Sequence, residues 1–178
     1  MRALFLDRDG VINKEKSGSY IFHPGEFEFY EGACAAIAAL SKIFDYLIIV
    51  TNQRGIGRGL MTEAQLEKIH DYLKKSVANE GGKIDAIYFA PHLDNTHPRR
   101  KPNTGMALDA VKDFPDIRFE ESVMVGNNLS DMQFGKNMAM TTVFLHTTQP
   151  PFSLPHPLID QQFASLKDWA LSLKNQQF

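Results

Sequence analysis

The sequence predicts an α/β fold: a doubly wound parallel sheet with helices on both faces. Three observations point there. Short apolar runs that read as strands alternate with stretches whose apolar residues recur at helical spacing. The run Tyr46 to Val50 is apolar throughout, as a strand buried on both faces requires. Polar clusters follow successive predicted strands: Asp7/Asp9, Thr51-Asn52, Arg100-Lys101 and Asn127/Asp131. In a parallel sheet those strand ends share one edge, so residues far apart in the chain converge there.

The elements follow in order. Ala3 to Leu6 is the first strand, and Asp7-Arg8-Asp9-Gly10 comes directly after it. Lys14 to Phe29 is polar and aromatic with Pro24-Gly25, and reads as a long loop over the carboxyl edge of the sheet. Glu31 to Phe44 is alanine-rich with Ile37 and Leu40 at helical spacing, a helix packed closely on the sheet. Tyr46 to Val50, the second strand, leads into the glycine- and arginine-containing loop Thr51 to Gly59. Thr62 and Gln65 form a capping-box pattern ahead of a helix bearing Leu66, Ile69, Leu73 and Val77, and Gly81-Gly82 ends it.

Ile84 to Phe89 is the third strand. Ala90 to Asn103 holds three prolines and three consecutive cations and is a loop of basic character. Thr104 is placed to cap a helix that stops near Pro115. Ser122 to Val125 is the fourth strand, followed by a short helix to about Asn137 and a fifth strand over Thr142 to Leu145. The proline-rich loop Gln149 to Pro157 precedes a closing amphipathic helix carrying Leu166, Trp169, Ala170 and Leu173. No repeat or boundary divides the chain, so residues 1–178 are expected to form a single domain.

Composition narrows the function classes. With a net charge of -2 and a pI near 6.3, the chain offers no broad basic face for nucleic acid, so any anion site is local. The one cysteine, Cys34, sits among alanines and rules out an internal disulfide framework and a multi-cysteine metal site. No apolar run has the length to span a bilayer and no signal segment opens the chain, so the expected location is the cytoplasm.

Asp7 and Asp9 carry the sharpest chemical signal. In extended backbone, carboxylates two residues apart point to the same side, and they repel unless a cation or a shared proton relieves them. Asp-Gly is also an ordinary turn dipeptide, so the pair by itself leaves both readings open.

Taken together, Asp7-Arg8-Asp9-Gly10, Thr51-Asn52-Gln53, Arg100-Lys101-Pro102 and Gly126-x-x-x-x-Asp131 resemble the four motifs of the haloacid dehalogenase superfamily of phosphatases. Asp7 to Asn13, Val50 to Gly59 and Arg100 to Pro102 are similar to the branch containing D,D-heptose 1,7-bisphosphate and histidinol-phosphate phosphatases. The resemblance implies that Asp7 is the nucleophile and Asp9 the general acid and base. It implies that Thr51 and Lys101 hold phosphoryl oxygens. Mg2+ would be held by Asp7, the backbone carbonyl of Asp9 and a fourth-motif side chain, Asn127 or Asp131. Arg100 would contact substrate, as would the loop residues Asn52, Gln53 and Arg54, with Arg58 or Arg54 reaching a second anionic group. Neither connection that carries a cap in such enzymes is long enough for one here, so no large cap domain is expected.

Two departures qualify the resemblance. Asn127 stands where the fourth motif has its first aspartate, and a neutral amide oxygen binds a hard cation more weakly than a carboxylate. Ala90-Pro91-His92 and His97-Pro98-Arg99 stand where heptose bisphosphate phosphatases of the branch carry a zinc loop, and two histidines do not complete a tetrahedral site. Structural zinc is therefore not expected. The implied function is a Mg2+-dependent phosphomonoesterase acting on a small phosphorylated metabolite through an aspartyl phosphate, with D-glycero-D-manno-heptose 1,7-bisphosphate favoured. The alternatives are histidinol phosphate as substrate, or a catalytically weakened phospholigand-binding module. No nucleic-acid or membrane partner is expected, and a monomer is favoured.

Overall fold

The computed structural model describes residues 1–174; residues 175–178, included in the single-domain expectation, lie outside the described residues. β1 (Ala3–Leu6), β2 (Tyr46–Asn52), β3 (Ala86–Ala90), β4 (Val123–Gly126), β5 (Thr141–Leu145) and β6 (Gln161–Phe163) form one sheet. All pairings are parallel, in the order β3-β2-β1-β4-β5-β6. The helices are α1 (Ala33–Leu40), α2 (Arg54–Gly57), α3 (Glu63–Asn79), α4 (Gly105–Asp113), α5 (Leu129–Asn137) and α6 (Leu166–Lys174).

Strand alternation sorts the core into two layers. Leu4, Leu6, Leu47, Ile49 and Val125 pack with Ile37 of α1, Leu66 and Leu73 of α3 and Trp169 of α6. Ala3, Phe5, Ile48, Val50 and Met124 pack with Met106 and Ala110 of α4 and Phe134 of α5. The doubly wound parallel architecture expected from the sequence is therefore present, with no large cap among the described residues.

The winding order makes the site. The chain builds outward from β1 to β2 and β3, then crosses back to place β4 on the other side of β1. Connections therefore diverge at the carboxyl ends of β1 and β4, leaving a crevice there. Asp7 lies at that point, its backbone N–H donating to the Val125 carbonyl at 3.0 Å.

The α3 capping box forms as the sequence indicates: Gln65 N–H donates to Thr62 Oγ1 at 3.2 Å, and Thr62 N–H to Gln65 Oε1 at 2.8 Å. Three details differ from the sequence reading. Thr104 stands at the N-cap of α4 without a side-chain cap bond; Gly105 N–H donates instead to the Pro98 carbonyl at 2.8 Å. The loop after β2 contains the short helix α2, absent from the expectation because two glycines in four residues give no helical signal. β6 is an unpredicted sixth strand, since Gln161-Gln162-Phe163 has neither the length nor the apolar character of a strand.

Asp160, just before β6, ties that edge to the sheet. Its Oδ2 accepts from Thr142 N–H at 2.8 Å and Thr142 Oγ1 at 3.1 Å, and Lys136 Nζ donates to it at 2.6 Å. Thr142 is fully buried, so Asp160→Ala leaves its N–H without a partner and is expected to cost about 1–3 kcal/mol. Burial works against the Asp160 charge, but hydrogen bonds from Lys136 and Thr142 outweigh it and lower the pKa from 3.8. A lowered folded pKa gives stability that is present above the unfolded value and lost as pH falls through the folded one. Urea denaturation should show the wild-type advantage constant near neutrality and shrinking only below about pH 4.

Candidate active site

The ammonium of Lys101 lies between two carboxylates, 2.9 Å from Asp7 Oδ1 and 2.7 Å from Asp131 Oδ1. All three groups are buried. Asp131 also caps α5, accepting from Asn128 N–H at 3.1 Å, so its carboxylate is already engaged from two sides. Burial first, then the charge of Asp131, pushes Asp7 up to about 7 against the opposing pull of Lys101. Burial disfavours the Lys101 charge, yet Asp131 and Asp7 outweigh it and raise its pKa. Asn52 fixes the lysine backbone: Lys101 N–H donates to Asn52 Oδ1 at 3.1 Å and Asn52 Nδ2 to the Lys101 carbonyl at 3.3 Å.

Asp9 lines the same crevice as Asp7 and sits in a ring of donors. Arg8 Nη2 donates to Asp9 Oδ1 at 2.7 Å and Oδ2 at 2.9 Å, Asn13 Nδ2 to Oδ1 at 2.9 Å, and Gln53 Nε2 to Oδ2 at 3.0 Å. Burial opposes the Asp9 charge, but the Arg8 guanidinium and these hydrogen bonds prevail and lower its pKa. Arg8 is itself buried, 5.8 Å over the Phe27 ring and with Nη1 3.3 Å from His70 Nε2. Burial and the Arg8 charge push His70 down to about 3, so its ring is neutral and Nε2 accepts from Arg8. Gln53 Nε2 also donates to Thr51 Oγ1 at 2.8 Å, which leaves the threonine's own proton free for an oxygen in the crevice.

Asn127, fully buried, donates through Nδ2 to Glu15 Oε1 at 2.8 Å and to Thr148 Oγ1 at 2.9 Å. Asp7, Asp9, Glu15, Thr51, Lys101 and Asp131 line a crevice of about 140 Å3. An adjoining cavity of about 180 Å3, sharing Asp9, Glu15 and Asn52, extends under Lys16 and Tyr20. A larger cavity of about 410 Å3 between α3 and β3 touches this network only through His70.

The donors suit a hard divalent cation. Four carboxylates, those of Asp7, Asp9, Glu15 and Asp131, meet two cations, Arg8 and Lys101, leaving an excess of negative charge lined with oxygen ligands. Among the described residues no three His, Cys, Asp or Glu side chains converge as a ready-made cage. Mg2+ needs none, because it keeps several waters and takes one or two carboxylates.

Arginines crowd the outer rim. Arg100 Nε donates to Asn95 Oδ1 at 2.9 Å, and Arg54 Nη2 reaches the same oxygen at 3.4 Å. Burial and then the charge of Arg54 lower the Arg100 pKa. Arg58 is exposed, 5.9 Å from the Tyr20 ring centre. Among the described residues none of the three pairs with a carboxylate. His92 and His97 stack on one another, centroids 3.3 Å apart.

The crevice thus gathers Asp7, Asp9, Thr51, Asn52, Lys101 and Asp131; Gln53 lines the adjoining cavity, Asn127 is buried behind Glu15 without lining either, and Arg54, Arg58 and Arg100 line neither. Sequence reasoning missed Arg8, Asn13, His70 and Asn95. His70 carried one usable signal: it falls on the buried stripe of α3, beside Ile69 and four residues from Leu66, where a polar ring needs a partner. Arg8 carried another, as the one cation set between two aspartates.

A buried aspartate at a strand end, bridged by lysine to a second aspartate and flanked by threonine, defines a phosphatase of the haloacid dehalogenase type. The chain belongs to that class, in the family described as polynucleotide kinase 3 phosphatase, whose model matches residues 2–166. Particular relatives narrow the neighbourhood. The chain is 44% identical over 148 residues to the D-glycero-alpha-D-manno-heptose-1,7-bisphosphate 7-phosphatase of Campylobacter jejuni, covering 81% of each chain. It is 36% identical over 189 residues to the D-glycero-beta-D-manno-heptose-1,7-bisphosphate 7-phosphatase of Escherichia coli K12, covering 98% of this chain and 95% of the relative. Among solved structures, it is similar to D,D-heptose 1,7-bisphosphate phosphatase from B. bronchiseptica complexed with magnesium and phosphate. That likeness has a TM-score of 0.85 and 29% identity, and covers 99% of both chains. No described helix is long and apolar enough to cross a membrane.

Proposed function

We propose that this chain hydrolyses the 7-phosphate of a D-glycero-manno-heptose 1,7-bisphosphate, with Asp7 as nucleophile. The observation that carries this reading is the buried Asp7–Lys101–Asp131 bridge at the sheet's switch point, with Thr51 facing the same crevice. Asp7 Oδ attacks phosphorus as the bond to the leaving sugar oxygen breaks, and Asp9 gives that oxygen its proton. Asp9 then takes a proton from the water that attacks the aspartyl phosphate, releasing inorganic phosphate and restoring Asp7. To serve as acid, the Asp9 carboxyl has to leave the ring of Arg8, Asn13 and Gln53 that keeps it ionised. Lys101 and the Thr51 hydroxyl hold phosphoryl oxygens throughout. Asp7, the Asp9 carbonyl and Asn127 are the residues assigned to Mg2+, which when bound neutralises phosphoryl charge beside the nucleophile. Asp131 is assigned to Lys101, with which it pairs.

The rim favours a second anionic group on the substrate. Arg54 and Arg100 share one neutral acceptor, Asn95 Oδ1, and have no carboxylate, an arrangement that suits a phosphate better than the cationic end of histidinol phosphate. Arg54→Ala is expected to lower kcat/KM for the bisphosphate roughly tenfold, mostly through KM, and to leave a sugar monophosphate nearly unaffected. The functional reading is tested by phosphate release from heptose 1,7-bisphosphates, histidinol phosphate and sugar monophosphates, with Mg2+ and with chelator. Mg2+-dependent release from a heptose bisphosphate, leaving the 1-phosphate by phosphorus NMR, is expected. Ligand binding without turnover of any substrate would instead support a binding module.

A further inference from the structure

We infer that Glu15 supplies the cation site with the negative charge that Asn127 lacks, and fixes the Asn127 amide so that its oxygen faces a ligand. The inference rests on the Mg2+-dependent reading above. It begins from charge pairing around the crevice. Asp7 and Asp131 share Lys101, and Asp9 pairs with Arg8. Glu15 also lines the crevice, yet among the described residues it forms no ion pair. The neighbouring Lys16 pairs with Glu26 instead, at 3.1 Å. The polar partner of Glu15 is the neutral amide of Asn127, so its charge, exposed to solvent, lines the crevice with no protein cation against it among the described residues.

The contact also sets which way the amide points. Both Nδ2 hydrogens are taken, one by Glu15 and one by Thr148, so the nitrogen cannot turn toward a cation. Oδ1 has a single weak partner, Asn128 Nδ2 at 3.3 Å, and is the one atom of the side chain with acceptor capacity to spare. The pair is packed on the turn that follows Asp9. Gly10 has φ 85°, and a Cβ there would lie 2.1 Å from Asn127 Nδ2 and 2.8 Å from Glu15 Oε1. Glycine is what lets the backbone of the Asp7–Asp9 segment come this close to them. An aspartate at 127 would set an oxygen against the Glu15 carboxylate at the distance of the present hydrogen bond, so position 127 and position 15 divide one charge between them.

The test measures cation affinity without substrate, by titrating Mn2+ into the full chain and following free Mn2+ by electron paramagnetic resonance, with Mg2+ as competitor. Glu15→Gln keeps an acceptor for Asn127 and removes the charge, and should weaken binding about tenfold, following the dependence of affinity on ligand charge. Asn127→Asp alone should lower the cation-free melting temperature, and the cation should restore it. Glu15→Gln with Asn127→Asp returns the charge to position 127 and should recover affinity to within about threefold of wild type. Circular dichroism melts of the variants control for folding. A Glu15→Gln protein that binds as wild type does, or a double variant no tighter than Glu15→Gln, overturns the assignment and leaves the phosphatase reading standing. A wild-type chain that binds neither ion overturns both.

Discussion

Asp7→Asn is expected to abolish turnover, lowering kcat at least about ten-thousand-fold, the scale seen when a covalent nucleophile is removed. The substitution is nearly isosteric and leaves Lys101 its contact with Asp131 at 2.7 Å, so the site keeps its architecture. Stability is expected not to fall. Burial and the neighbouring Asp131 already disfavour a charge at Asp7, as its pKa of about 7 records, and a neutral amide removes that cost. A loss of activity with an unchanged or raised melting temperature is the signature of a group held against its own preference for the sake of chemistry. A melt that drops together with activity would mean that Asp7 is structural.

Lys101→Met should have the largest effect on folding. The methionine fills the space of the lysine stem, but Asp7 and Asp131 are left buried and facing one another without the ammonium that contacts both. Breaking a buried ion pair by removing one partner costs about 3–5 kcal/mol. In a chain of this size that corresponds to a fall of roughly 10 °C in melting temperature. The mechanism makes a further demand: adding Asp7→Asn to Lys101→Met removes one of the two repelling carboxylates. The double variant should therefore recover about 1–2 kcal/mol relative to Lys101→Met, a coupling visible in a double-mutant cycle. Strict additivity would show that the lysine stabilises through packing alone.

The parts readable in the sequence are those written in local pattern. Four polar clusters after four apolar strands required only the rule that parallel strands end on one edge, and Asp7, Thr51, Lys101 and Asp131 do meet there. The parts not readable depend on approach through space. Nothing local shows that the turn at Gly10 brings Glu15 against Asn127, 112 residues away in sequence. Asn52 reads as a substrate contact and does line the crevice, but its bonds to the Lys101 backbone, 49 residues away, carry no local signal. The ring around Asp9 escapes for the same reason, since Gln53 arrives from β2 and His70 backs Arg8 from α3. β6 escapes because its three residues are held by Asp160 and by the Gln162 side chain, which bonds both backbone groups of Phe152.

The account depends most on Asp7 becoming phosphorylated, and a single-turnover acid quench tests that directly. Enzyme in excess is mixed with heptose 1,7-bisphosphate radiolabelled on the 7-phosphate, stopped in acid within the first turnover, and digested for mass spectrometry. The account predicts label on the peptide containing Asp7, released by hydroxylamine and missing from Asp7→Asn. Rapid release of labelled phosphate with no label on Asp7 at any time point would contradict it.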